Sequence, residues 1–206
     1  MINIENNADV SSNKFWDECY SNDDTGWDLN GPTPIFVDWC NNLKQSGKKI
    51  CLPGSGNGYD ALYFASRGHS VTAIDFADSP IKRLKQESKN NSLNLEAVKE
   101  DIFNLKEKFY NKFDYIIEYT CYCAIDPKMR REYVDVMYNL LKKGGEFVGI
   151  LFPLNKAISE GGPPFSVNLN KTINSFSTKF KLIESIPHSL SIQPRLGNEQ
   201  FVRFIK

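Results

Sequence analysis

The chain has 206 residues, 41% hydrophobic and 13% aromatic, the profile of one ordinary globular domain with a sizeable core. Lys plus Arg and Asp plus Glu both number 25, so the formal net charge is zero and no basic excess points to nucleic acid or anionic lipid. No apolar run approaches a membrane span, the opening MINIENNADVSSNK has neither a basic nor an apolar targeting region, and the five cysteines contain no C-x-x-C pair. Reduced thiols in a cytoplasmic enzyme or binding protein are expected, with no disulfide or zinc framework, no resident metal, and order beyond the first dozen residues.

After the polar leader, Phe15, Trp16, Cys19 and Tyr20 recur at i, i+3 and i+4, which predicts an amphipathic helix over Lys14 to Tyr20. The loop SNDDTGWDLNGPTP follows, with Trp27 in its middle. A tryptophan is costly to expose there, so the core or a ligand must cover it, and the core is the commoner cover. Pro34 starts a predicted helix through Leu43, which Ser46-Gly47 ends.

The stretch from Lys49 to Asp75 organises the rest. Ile50 to Leu52 is a short apolar run that stops at Pro53, and Gly54, Gly56 and Gly58 then recur at alternate positions. A helical period takes over with Ala61, Leu62, Phe64 and Ala65 on one face, Gly68 stands where a helix-ending glycine is favoured, and Ser70 to Ile74 is a second strand tipped by Asp75. A β-α-β unit with a glycine turn and an acid at the tip of its second strand is a nucleoside-binding device. In the dinucleotide version a glycine stands three positions after the second one, where this chain has Tyr59, so a nicotinamide dehydrogenase is a weak alternative. Gly58, two positions on, widens the turn for a bulkier uncharged group such as an amino acid attached to a nucleoside, and Asp75 would accept from both ribose hydroxyls.

Ser79-Pro80 reads as the cap and first residue of a basic helix through Ser88, with Ile81 and Leu84 inward. Leu93 to Val98 is a third strand, running into Glu100-Asp101-Ile102, and Phe113 to Glu118 is a fourth, followed by YTCYCAI. Polar groups just past the carboxyl ends of parallel strands are well placed for a ligand. Cys121 and Cys123 would share one strand face, and burial is the expected role. Asp126-Pro127 caps a helix whose Tyr133, Val134, Met137, Tyr138 and Leu141 face inward and which ends at Gly144-Gly145; Phe147 to Phe152 is the fifth strand. Residues 153–169 show no period and read as a binding loop. A short helix near Lys171 to Ser177, a strand from Lys181 to Ile186, a loop with His188 and Arg195, and a strand from Gln200 to Ile205 complete a mostly parallel sheet with an antiparallel edge. His69, at a helix-to-strand turn, is expected to be structural, and His188 could border the pocket.

Taken together, FWDECYSNDDTGWDLNGPTP, CLPGSGNGYDALYFASRGHSVTAIDFADSPI, FDYIIEYTCYCAIDP, LLKKGGEFVGILFPL, GGPPFSV and PHSLSIQPRLGNEQFVR resemble the thiopurine methyltransferase family, and within it the halide and thiol methyltransferase branch. The resemblance runs from about Lys14 to the end. The glycine motif is common to many class I methyltransferases, whereas the Trp-containing leader and GGPPF are more particular. It implies an α/β, Rossmann-like class I methyltransferase fold, with a mostly parallel seven-stranded sheet, helices on both faces and an antiparallel edge strand, binding S-adenosyl-L-methionine. Residues 1–34 would be a leader closing over the cofactor, and 153–169 an acceptor-side loop. The family pattern implies cofactor contacts at Trp16, Trp27, Gly54, Asp75, Asp101, Ile102 and Glu118, with Tyr119 near the reacting centre. Tyr20 and Glu118 depart from the residues common in the family, tryptophan and aspartate.

Methyl transfer from a sulfonium releases a neutral leaving group, so departure needs no general acid, and an ionised soft nucleophile needs no base. Alignment and exclusion of water carry the catalysis. A thiol, hydrosulfide, halide or thiocyanate acceptor is expected; an aromatic thiol, a metalloid, or a non-catalytic cofactor-binding role are the alternatives. Oligomeric state leaves no mark in the sequence.

Overall fold

The computed structural model describes residues 9–206, so the start of the polar leader lies outside the described residues. In chain order the elements are α1 (Asn13–Ser21), α2 (Pro34–Asn41), β1 (Lys49–Pro53), α3 (Tyr59–Ser66), β2 (Ser70–Asp75), α4 (Asp78–Asn90), β3 (Leu95–Lys99), β4 (Phe113–Tyr119), α5 (Arg130–Leu140), β5 (Leu141–Leu151), α6 (Leu169–Phe176), β6 (Lys181–Ile186) and β7 (Gln200–Ile205). The seven strands form one sheet in the order β3-β2-β1-β4-β5-β7-β6. β1 to β5 are mutually parallel, and β7 runs antiparallel to both of its neighbours, one strand in from the β6 edge.

Alternate strand residues supply two apolar layers, as a sheet covered on both faces requires. Ile50, Leu52, Val71, Ala73, Ile117 and Val148 pack with α2, α3 and α4; Cys51, Ile74, Ile116 and Phe147 pack with α5 and α6. Phe176 of α6 is fully buried, 4.8 Å from Phe147 and 4.9 Å from Phe204 between ring centroids. Such pairs add about 0.5–1.5 kcal/mol each beyond area burial.

Several boundaries differ from the sequence expectation. α4 starts at Asp78, and its cap is Ala77, not Ser79. The Ala77 N–H goes to the nearby Asp75 Oδ1 at 3.0 Å and the Asp78 N–H to the distant Asp17 Oδ1 at 2.6 Å, so two carboxylates cap the helix and Pro80 still falls in the first turn, where no N–H is needed. Asp126 caps a short 3-10 turn, Pro127–Met129, that leads into α5. α5 stops at Leu140, and the chain passes through Gly144-Gly145 already inside β5. β3 begins at Leu95. Cys121 and Cys123 lie in the turn beyond β4, not on it, and both are buried. His69 is buried, taking the Lys48 N–H on Nδ1 at 3.3 Å, with Cys40 Sγ 3.8 Å from Nε2.

Candidate active site

Strand order reverses between β1 and β4, and a crevice opens at the carboxyl ends of such strands. A cavity of about 1240 Å³ lies there, lined by Trp16, Trp27, Gly54, Asp75, Asp101, Ile102 and Tyr119 among others. Seven of the eight expected site residues thus line one cavity. Glu118 does not; it is 1% exposed, beneath the cavity floor.

The floor begins with the glycine turn after β1. Gly54 has φ +59, and a Cβ on it would stand 2.7 Å from Cys121 Sγ, so only glycine fits. Gly58 caps α3 at φ +72, and a Cβ there would come within 2.4 Å of Leu84 Cδ1. Its missing side chain admits Leu84 of α4, a packing role the sequence reading did not foresee, and Gly58 also lines the cavity. The Gly56 N–H donates to Asp75 Oδ2 at 2.8 Å. With Oδ1 taking Ala77, each carboxylate oxygen has used one site and keeps another. Burial pushes the Asp75 carboxyl up, and the Ala77 and Gly56 N–H groups oppose the shift.

Three aromatic rings from the leader roof this end. Trp27 meets Trp16 edge-on at 5.5 Å and Tyr20 at 5.7 Å. Tyr20 Oη lies 2.9 Å from where a Gly56 Cβ would stand, and burial with the nearby Asp75 charge pushes its hydroxyl up. The roof is tied down by Trp16 Nε1 donating to Val10 O at 2.9 Å, by Asn57 Nδ2 donating to Asp28, and by Asp17 at the start of α4. On the side wall, Asp101 Oδ1 accepts the Phe103 N–H at 2.9 Å, turning the chain so that Ile102 also lines the cavity. Asp60, at the start of α3, accepts the N–H and hydroxyl of Thr33 at 2.7 and 2.8 Å, and burial raises it to about 6.

The opposite end is built by β4, the 153–168 segment and the loop before β7. Tyr119 donates to Glu199 Oε2 at 2.6 Å, and Ser191 donates to Glu199 Oε1 at 2.6 Å. Burial pushes the Tyr119 hydroxyl up; the Arg195 guanidinium opposes this. Arg195, 5% exposed, stands over the Tyr119 ring at 4.7 Å and the Phe152 ring at 5.0 Å, and its Nη2 donates to Trp27 O at 2.7 Å. Its buried Nη1 has no partner among the described residues. Phe152, Gly162, Pro163 and Pro164 complete this apolar wall. His188 packs against Phe201 at 5.6 Å and is not on it. Sequence reading missed Glu199 altogether, and Asp17, Asp28 and Asn57 as fastenings of the roof; no local pattern marks them.

A sheet of this order, a glycine turn after β1 and a free-sided acid ending β2 define a class I, Rossmann-like methyltransferase dependent on S-adenosylmethionine. Solved structures agree in fold. A Burkholderia thailandensis 1,6-didemethyltoxoflavin-N1-methyltransferase, solved with 1,6-didemethyltoxoflavin and S-adenosylhomocysteine, superposes with a TM-score of 0.76 at 17% identity, over 96% of this chain and 87% of its own. A TehB-like S-adenosylmethionine-dependent methyltransferase from Corynebacterium glutamicum gives 0.68 at 16%, over 94% and 97%. The family model described as thiopurine S-methyltransferase (TPMT) matches residues 11–202, and the chain belongs to that family. It is similar to a probable thiol methyltransferase 2 of Arabidopsis thaliana, 29% identical over 95% of this chain and 86% of that protein. Thiocyanate methyltransferase 1 of the same plant is 29% identical over 93% and 84%, and a thiopurine S-methyltransferase of Francisella tularensis subsp. novicida 25% over 87% of each. The residues present fit S-adenosylmethionine: a glycine turn whose Gly54, Gly56 and Gly58 line the cavity, two carboxylate oxygens with acceptor capacity to spare, and an aromatic roof. Among the described residues no helix is long and apolar enough to cross a membrane, and no group of three or more His, Cys, Asp or Glu is placed to hold a metal ion.

Proposed function

We propose that this methyltransferase acts on a small, soft, anionic nucleophile: thiocyanate, hydrosulfide, a small thiolate or a halide. The observation that carries this reading is Arg195, a buried guanidinium with a free N–H beside an apolar wall, at the end of the cavity away from Asp75. The plant relatives' names point the same way.

The bound cofactor supplies an electrophilic methyl group on a cationic sulfur. Asp75 would accept from the ribose hydroxyls, Asp101 and Ile102 would flank the base, and the Gly54 backbone, which lines the cavity, would lie beside the amino-acid portion. Trp16 and Trp27 close over the cofactor, and aromatic faces beside a cation contribute about 0.5–2 kcal/mol. Tyr119, with its proton committed to Glu199, presents an electron-rich oxygen and ring to the same region and contributes to alignment. Arg195 neutralises and orients the anion, while Phe152, Pro163 and Pro164 exclude water. No base is needed for an acceptor already ionised, and orientation is worth up to about 7–11 kcal/mol. The five free cysteines suit a reducing compartment such as the cytoplasm.

A cavity of about 1240 Å³ also has room for an aromatic thiol, the second reading. Comparison of kcat/KM across thiocyanate, hydrosulfide, iodide, methanethiol and an aromatic thiol separates the two. Preference for the small anions supports the first reading, and preference for the aromatic thiol replaces it with the second.

A further inference from the structure

Glu118 sits one residue before the end of β4, and its side chain faces α5. Oε1 accepts the Tyr122 N–H at 2.8 Å, and the Cys121 N–H also turns toward the carboxyl. Oε2 is buried with no partner among the described residues, 3.4 Å from where a Cβ would stand on Gly149, its register neighbour on β5. Arg130 and Tyr133 of α5 and Cys121, Tyr122 and Cys123 of the turn surround it, with Cys51 of β1 beside Tyr133. Arg130 is the opposite charge, but its Nη1 and Nη2 donate to Ser166 O at 2.9 Å and Phe165 O at 3.4 Å.

The turn this carboxyl grips reaches both ends of the cavity. Thr120 is held at φ +65, where a β-branched residue is strained. Cys121 packs on Gly54, and Cys123 O accepts the Phe165 N–H at 2.7 Å, in the 153–168 segment. A strained conformation persists only when its surroundings over-determine it, and Glu118 contributes the bond to the Tyr122 N–H.

We propose that Glu118 is a positioning residue: from beneath the cavity floor its carboxyl holds the Thr120–Cys123 turn so that Cys121 seats against the cofactor's glycine turn and Cys123 against the acceptor-side segment. Only the kinetic arm of its test rests on the acceptor reading above. Burial raises Glu118 to about 7, so its charge changes in the neutral range. The ionised form is the stronger acceptor for the Tyr122 N–H, so the turn tightens as pH rises.

The test follows the Tyr122 amide by nuclear magnetic resonance across the neutral range, alongside calorimetric affinity for S-adenosylhomocysteine, in wild type, Glu118→Gln and Glu118→Asp. In wild type the amide titrates with a midpoint of about 7, and affinity is about tenfold higher above the midpoint than below, as for one charge-assisted bond. Glu118→Gln loses the titration and binds at all pH values as wild type does at low pH. Glu118→Asp, one methylene short, keeps a titration and recovers part of the affinity. A silent Tyr122 amide in wild type, or wild-type affinity and pH dependence in either variant, overturns the proposal. With thiocyanate, which stays ionised throughout, kcat/KM rises with pH in wild type and is flat in Glu118→Gln. If thiocyanate is not methylated while the amide and affinity results hold, the acceptor reading falls and the positioning role stands.

Discussion

Gly54 and Cys121 meet across the switch point of the sheet: a Cβ on Gly54 would stand 2.7 Å from Cys121 Sγ and 2.8 Å from its Cβ. Gly54→Ala meets both this contact and a φ of +59, and the combination destabilises by about 1–3 kcal/mol. Cys121→Ala beside it relieves the clash with Sγ but not the backbone strain. Thermal unfolding of the two single variants and the double variant is therefore non-additive, with partial rescue. Additive melting shifts would mean that the two residues do not share that space.

Asp75 joins the tip of β2 to the glycine turn and to the start of α4. Asp75→Ala orphans the Gly56 N–H and removes the ribose acceptor, so affinity for S-adenosylhomocysteine falls by at least about tenfold, the scale of a lost bond to a charged group. Unaltered affinity in calorimetry would undermine the ribose assignment.

Trp27 carries two edge-to-face contacts, to Trp16 and Tyr20, worth about 0.5–1.5 kcal/mol each. Trp27→Ala loosens the roof as well as removing a face from the sulfonium. It weakens S-adenosylmethionine more than the uncharged S-adenosylhomocysteine, by the cation–π share of about 0.5–2 kcal/mol. Equal weakening of the two ligands would place Trp27 in the lid but away from the sulfur.

Arg195→Gln removes the buried cation at the acceptor end while keeping a donor for Trp27 O. The measurement is kcat/KM for thiocyanate, expected to fall about tenfold to a hundredfold. Cofactor affinity should move by less. If the acceptor constants do not change, Arg195 serves only to hold the lid.

Two buried carboxyls make the free protein's stability fall as pH rises. Glu118 is raised to about 7 and Asp60 to about 6, whereas in the unfolded chain both titrate in the ordinary carboxylate range. Between those limits the unfolded chain has released protons that the folded chain still holds, so each increment of pH favours unfolding, and the loss levels off above about pH 7. For Glu118 the shift corresponds to on the order of 3 kcal/mol. Chemical denaturation of Glu118→Gln should show a shallower pH slope than wild type; an unchanged slope would assign the effect elsewhere.

What the sequence made legible was local. Strand, glycine turn, helix, strand and Asp75 fall within one short stretch, where a change of hydrophobic period and a charged tip are visible without any knowledge of topology. What it hid was contact across the chain. Arg195 reaches Trp27 over 168 residues and Tyr119 reaches Glu199 over 80, and no spacing rule connects them before the order of strands is known. The start of α4 was misread for the same reason. Ser79-Pro80 is a good local cap signal, but Asp17, 61 residues earlier, supplies the acceptor and moves the helix start. Glu118 stands next to Tyr119, yet only the alternation of faces on β4 sends one beneath the floor and the other onto the wall.

The most direct measurement gives the wild-type protein S-adenosylmethionine carrying a labelled methyl group together with thiocyanate in a sealed vessel, and identifies the headspace product by mass. Labelled methyl thiocyanate should form in proportion to protein concentration, and its rate should drop in Trp27→Ala and in Arg195→Gln. Tight binding of S-adenosylhomocysteine with no labelled product from thiocyanate, hydrosulfide or iodide would contradict the account.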